Sequence, residues 1–265
     1  MGKRKALSRQ QDKPGAEREG RKLDPERVYR SPIQRFAHFA QKLRTKYRTR
    51  SRDRDVVLFL GRFIPEQGVV FDVGAHTGSY TKAFARLHEG RVEVHAFEPL
   101  AYNFSILEDV AAGHPNVHTN KAALSDQPGE VDLHLPVKES GRVGSSLGHF
   151  GPENARDYVI ERVATTTLDA YVGERKLPRL DFVKCDVEGA EFLVLKGAAE
   201  TLRRFHPTIY IEVFESYLAR LGHAPKDVFG FLESLGYRAY FPDSAGTALR
   251  LVAGYEGPEN YFFRA

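Results

Sequence analysis

One cysteine, one methionine and no tryptophan occur among the 265 residues. Cys185 has no second thiol to join, so no internal disulfide staples the chain, which fits a reducing compartment such as the cytoplasm. No run of about 18 apolar residues exists, so no segment reads as a membrane span. The opening MGKRKALSRQ is charged with no apolar stretch behind it and does not read as a secretory signal. Ala6 stands where the N-myristoylation pattern needs Ser or Thr. The length suits one sizeable α/β domain with an appendage rather than two full domains.

Charge is unevenly distributed. Residues 1–55 hold 18 Lys and Arg against 7 Asp and Glu, a net of +11, and the whole chain is +4, leaving 4 − 11 = −7 for residues 56–265. A basic arm therefore precedes an acidic body. Residues 1–30 are polar and poor in aliphatics, the composition of a disordered arm. Residues 31–55 form a basic amphipathic helical segment, with Ile33, Phe36, Ala40, Leu43 and Tyr47 on one helical face and Arg and Lys on the other. The plainer reading packs that stripe on the body. The sharper one sends it to a membrane surface, an acidic partner or nucleic acid.

From residue 56 onward strands and helices alternate, which predicts a mostly parallel sheet with helices on both faces. Strands are expected over 69–73, 92–99, 116–124, 180–187 and 207–214, with 237–241 and two short later runs completing the sheet. Residues 129–137 alternate apolar and polar, as a half-exposed added strand does. Helices are expected over 56–64, 79–88, 100–112, 191–205 and 226–236.

The chemistry sits at strand ends. In an open parallel sheet, ligands bind beyond the carboxyl ends of the strands. Asp72, Glu98 and Asp186 each close an apolar run there. The loop D-V-G-A-H-T-G over 72–78 places Gly74 and Gly78 four apart and lacks the middle glycine of the dinucleotide fingerprint, which disfavours NAD or FAD and an oxidoreductase. Glu98, 24 residues beyond Gly74, is placed to accept both hydroxyls of a ribose. Acids after the first and second strands suit adenosine joined to an amino acid, and S-adenosylmethionine has those parts.

FDVGAHTGSYT at 71–81, FEP at 97–99, TLD at 167–169, VKCDVEGAEFLVLKGA at 183–198 and PTIYIEV at 207–213 resemble the FkbM-type methyltransferase family. The resemblance covers about residues 66–240. It implies a Rossmann-like class I methyltransferase fold, with a seven-stranded, mostly parallel sheet that binds S-adenosylmethionine and transfers methyl to a hydroxyl of a sugar or other small metabolite. It further implies that Asp72, Gly74 and Gly78 shape the cofactor's methionine end, with Tyr80 and Thr81 lining that pocket. Glu98 would hold the ribose, with Pro99 fixing its strand end, and Ser125 and Asp126 would lie near adenine. Asp186 would face the methyl group and the acceptor, with Glu188 and Glu191 nearby. The family usually has Asn where this chain has His76, which alters one contact of the cofactor loop, and an apolar residue where Cys185 stands.

A hydroxyl acceptor has a high pKa, so a base within reach assists transfer. Asp186, Glu212 and Glu188 are the first candidates, with Lys184 and His223 behind them. Three carboxylates could also gather a divalent cation, but their spacing matches no recognisable ligand set, and no metal site is assigned. No D-P-P-Y or N-P-P-Y segment is present to grip a planar amine, and Cys185 lies within a predicted strand, so oxygen is the expected acceptor atom. Two alternatives stand beside the small-molecule reading. One is an RNA-directed hydroxyl methyltransferase that uses basic residues 1–50 on phosphates. The other is a non-catalytic S-adenosylmethionine-binding module.

Overall fold

The computed structural model describes residues 20–47, 51–140, 142–144, 149–150, 157–242, 248–257 and 259–265. Its strands are β1 (Val69–Val73), β2 (Glu93–Phe97), β3 (Val117–Asn120), β4 (Ala123–Leu124), β5 (Gly129–Pro136) and β6 (His149–Phe150). β7 (Tyr158–Thr166), β8 (Phe182–Cys185), β9 (Thr208–Val213), β10 (Arg238–Pro242), β11 (Leu249–Leu251) and β12 (Glu259–Arg264) follow.

The main sheet has eight strands, not seven, in the order β11-β10-β12-β9-β8-β1-β2-β3. β3, β2, β1, β8 and β9 are parallel, and β12 runs antiparallel between β9 and β10. The eighth strand is the short edge strand β11, paired antiparallel to β10. β4, β7, β5 and β6 form a second sheet, in which β5 and β7 pair antiparallel over their whole length. The expected strand over 116–124 is thus divided between two sheets.

β1 shows why its sequence is a run of apolar residues rather than an alternation. Both its faces are covered: Val69, Phe71 and Val73 enter one core and Val70 the other. The first core is closed by helices Leu168–Arg175, Ala199–Phe205 and Pro225–Ser234, the second by helices Ser51–Leu60 and Ser79–Phe84.

The long helix expected over 191–205 breaks into Glu191–Lys196 and Ala199–Phe205. A Cβ at Gly197 would lie 2.0 Å from the Ser125 carbonyl oxygen, so only glycine permits that approach. Beside the break, the T-L-D motif caps two helices. Thr167 Oγ1 accepts from the Ala170 amide at 3.0 Å, and the Asp169 carboxylate accepts from the Glu200 and Thr201 amides at 3.1 and 2.8 Å.

The basic arm departs from expectation in two ways. Residues 1–19 lie outside the described residues, but residues 20–30, whose composition reads as disordered, pack on β7. The Leu23 amide donates to the Tyr158 carbonyl at 2.7 Å, and the Tyr29 hydroxyl to Glu161 at 3.0 Å. Helix Pro32–Tyr47 is present, with the opposite face inward. Gln34, Ala37 and Thr45 are buried, whereas Ile33, Phe36, Phe39 and Leu43 are 55%, 73%, 58% and 42% exposed. The side chain of Tyr47 lies outside the described residues. The polar face finds specific partners: Gln34 Oε1 accepts from the Val143 amide at 3.1 Å, and His38 Nε2 bonds Ser105 Oγ at 2.8 Å. A domain boundary at 55/56 also falls within helix Ser51–Leu60, whose Val57 and Leu60 are core residues.

Candidate functional site

Strand order reverses at β1: the chain proceeds from β1 to β2 and β3 on one side, then returns to β8 and β9 on the other. The crevice beyond the carboxyl ends of β1, β2 and β8 is therefore the topological switch point, where open α/β sheets bind ligands. Glu98 and Asp186 follow directly on β2 and β8 there, and Asp72 is the penultimate residue of β1.

The loop after β1 turns through residues in left-handed conformation, Gly74 (φ 75), His76 (φ 52) and Gly78 (φ 84). At Gly74 a Cβ would fall 1.8 Å from the Asp186 carbonyl oxygen, so the loops after β1 and β8 touch only because that side chain is absent. Among non-glycine residues, Asn, Asp and His tolerate this conformation best. His76 adopts it here, and its amide donates to Glu98 Oε2 at 2.9 Å.

Glu98, buried at the end of β2, also accepts from the Leu100 amide at 3.0 Å and from Asn103 Nδ2 at 3.2 Å, both through Oε1. A carboxylate offers about four lone pairs. Three are used, and one on Oε2 is left for a ligand hydroxyl. Burial pushes the Glu98 carboxyl up to about 7, against the lowering effect of these donors. Asn103, the third residue of helix Ala101–Ala111, went unnoticed in the sequence because nothing in its neighbourhood marks it as a partner of Glu98.

Asp72 and Thr81 are fully buried and close on each other, Thr81 Oγ1 donating to Asp72 Oδ2 at 2.6 Å. They fix the loop and the start of helix Ser79–Phe84 rather than facing the crevice. Lys184, named in the sequence as a possible base, lies beneath. Its Nζ donates to the Gly74 carbonyl at 2.9 Å and stands 3.5 Å from both Asp72 Oδ1 and Asp186 Oδ2. Burial lowers the ammonium's pKa, but Asp186 and Asp72 outweigh it and the net shift is upward. Lys184 is accordingly a fixed cation, unsuited to accepting a proton. Tyr80 lies over it, with Nζ 5.4 Å from the ring centroid.

Around Asp186 gathers an acidic rim. Glu188, itself left-handed at φ 57, is pushed up to about 7 by burial and then by Asp186 and Glu191. Glu212, at the end of β9, is pushed up to about 8 by burial and then by Asp186, Glu188 and Glu191. Glu191 is no rim residue: almost fully buried, it accepts from the Val187 and Gly189 amides at 2.9 and 3.2 Å and so ties the D-V-E-G turn. Helix Glu215–Leu218 and the turn after it, unassigned in the sequence, bring Tyr217 and Arg220 to this rim. The Arg220 charge offsets part of the repulsion at Glu188. His223 packs edge-on against Phe192 at 4.8 Å between ring centroids.

Ser125 and Asp126 follow β4, beside the close approach of Gly197. Asp126 Oδ2 pairs with Lys196 Nζ at 2.7 Å, and that hydrogen bond holds its carboxyl below the ordinary range. Among the described residues, the one group of three donor atoms within 4.8 Å of one another is Glu93, His95 and His118, not Asp186, Glu188 and Glu212. No helix of the described residues is long and apolar enough to cross a membrane.

This chain is 27% identical over 224 residues to the 2-O-methyltransferase NoeI of Sinorhizobium fredii, a match that spans 79% of this chain and 88% of the relative. It is 29% identical over 156 residues to the 31-O-demethyl-FK506 methyltransferase FkbM of Streptomyces tacrolimicus, over 50% of this chain and 60% of that one. A third relative, the hexuronic acid methyltransferase AglP of Haloferax volcanii, is 27% identical over 177 residues, 66% of each chain. Residues 72–239 match the model of the methyltransferase FkbM domain, from the buried acid of β1 to the second residue of β10, and the chain belongs to that methyltransferase family.

Proposed function

We propose that this methyltransferase uses S-adenosylmethionine to methylate a hydroxyl of a sugar or other small metabolite. The observation that carries the reading is Glu98, a buried carboxylate at the switch point with one acceptor position left on Oε2. Such a group suits a ribose hydroxyl. In this reading the 74–78 loop holds the methionine end, Tyr80 borders it, and Ser125 and Asp126 flank the adenine. The bound cofactor supplies an electrophilic methyl group and, as a sulfonium, a positive charge that the acidic rim favours.

The chain's own residues then position the acceptor and take its proton. Glu212 and Asp186 are the candidate bases, with Glu188 beside them. A carboxylate whose pKa has risen to about 8 accepts a proton from a hydroxyl more readily than an ordinary one. The hydroxyl oxygen would gain a bond to the methyl carbon as the methyl–sulfur bond breaks and its electron pair returns to the departing thioether, and the hydroxyl proton would pass to the carboxylate. The same rim disfavours a polyanionic acceptor, because an RNA strand would set its phosphates against Asp186, Glu188 and Glu212. Similarity to a 2-O-methyltransferase supports a hydroxyl acceptor, and similarity to a hexuronic acid methyltransferase supports a sugar.

Calorimetric titration with S-adenosylhomocysteine tests the cofactor. The intact chain should bind, and Glu98→Gln should bind at least roughly ten-fold more weakly, as expected for loss of a charged acceptor. A folded intact chain that fails to bind would refute the assignment. Methyl transfer to a panel of free and uronic-acid sugars then tests the acceptor class.

A further inference from the structure

Of the six large hydrophobic residues that stand exposed among the described residues, four belong to helix Pro32–Tyr47: Ile33, Phe36, Phe39 and Leu43. At about 100° per residue they form one continuous outward stripe. On the same wheel Arg35 and Lys42 border the stripe on one side and Arg44 on the other, and the helix contains no acidic residue. Arg142 joins Arg44 at the edge of a shallow groove lined by Pro32, Ile33 and Phe36. The face turned to the body is the polar one, anchored by Gln34, His38 and Thr45. The helix is therefore held by its polar side with its apolar side presented, the reverse of an ordinary surface helix.

We infer that this helix lies flat on an anionic lipid surface, with Ile33, Phe36, Phe39 and Leu43 in the acyl boundary and the flanking arginines at the headgroups. An apolar stripe bordered by Lys and Arg is the pattern of interfacial helices. Charge decides between this occupant and the others. A second copy pairing through the same face would bring Arg44 and Arg142 against their own equivalents or against Arg35. Residues 1–19 offer only Met1 and Leu7 as large apolar side chains, too few to cover the stripe. The preceding basic residues, part of the +11 carried by residues 1–55, strengthen attraction to an anionic leaflet. The end of the same helix meets the cofactor loop: Lys82 Nζ donates to the Thr45 carbonyl at 3.0 Å, and Thr45 Oγ1 lies 3.5 Å from Thr77 Oγ1. Docking would thus place the crevice close to the lipid surface. The inference stands independently of the cofactor and acceptor proposed above.

Co-sedimentation of the intact chain with phosphatidylcholine vesicles, with and without about one-third phosphatidylglycerol, tests it. Binding to the anionic vesicles is expected. Phe36→Ser with Phe39→Ser should reduce the bound fraction at least roughly ten-fold with an unchanged melting temperature, since both rings are exposed. Arg35→Glu with Arg44→Glu should abolish the preference for anionic over neutral vesicles, and serves if the phenylalanine pair alters folding. A folded chain that stays in solution overturns the inference, as does binding that survives loss of the two phenylalanines. Light scattering that finds a dimer made monomeric by the phenylalanine pair would give the face to a second copy and overturn it equally.

Discussion

Asp72 and Lys184 stand opposite each other in the register of the adjacent parallel strands β1 and β8, and the Lys184 ammonium is 3.5 Å from the Asp72 carboxylate, both nearly free of solvent. A buried pair of this kind is a poor source of net stability but costly to break from one side. Lys184→Met should lower the unfolding free energy by about 3–5 kcal/mol in urea titrations. Adding Asp72→Asn to that variant should recover part of the loss, because no unpaired buried charge then remains. Equal stability of the single and double variants would contradict the coupling.

Gly74→Ala should abolish binding of S-adenosylhomocysteine and destabilise the chain. The new methyl would overlap the Asp186 carbonyl, and the left-handed φ adds about 1–2 kcal/mol of strain. Calorimetry and thermal denaturation read the two effects separately. Retained binding would mean that the loops after β1 and β8 part without consequence for the crevice.

Glu212→Gln should reduce kcat by about 10²–10⁴-fold with little change in KM, the range for removing a positioned base. The base works when ionised, so the wild-type rate should climb as pH rises through about 8. That limb should vanish in Glu212→Gln. Asp186→Asn removes a neighbouring negative charge, so any remaining limb should move to lower pH. A limb left in place by both substitutions would assign the proton to another group.

Stability should increase as pH falls from 8.5 to 7. Glu98, Glu188 and Glu191 are raised to about 7 and Glu212 to about 8 from an ordinary value of 4.5. The folded chain therefore holds more protons than the unfolded one in this interval, and lowering the pH favours it. Below about 6.5 the sign reverses for His95, which burial lowers to about 3 and which then binds its proton only on unfolding. Differential scanning calorimetry across this range should show a higher melting temperature at pH 7 than at 8.5, and a flat or opposite trend would refute the shifts.

Strands buried on both faces were the most legible elements, because β1, β2 and β8 are short, mostly buried segments with an acid at or directly after the end of each. Asp72, Glu98 and Asp186 came into view together for that reason. What each acid touches was not legible, since its partners lie far away in sequence. Lys184 looks like a candidate base in a linear reading and becomes a structural cation only when β1 is laid beside β8. Glu191 reads as a neighbour of Asp186 at the site, yet it turns back to bond two amides of its own loop. Helix Pro32–Tyr47 was predicted from its periodicity, but a periodic stripe does not say which side is covered. Gln34 and His38 decide that here, through partners 109 and 67 residues away.

β12 sits between β9 and β10 although it follows both in the chain. During synthesis, β10 and β11 emerge while the place they will occupy has no neighbour to hold them. They must wait for the β12 residues to leave the ribosome before they can join the sheet through it. The parallel strands that frame the crevice carry no such dependence, so the ligand-binding half of the sheet is free to assemble first, and Glu212 gains its register partner Asn260 last.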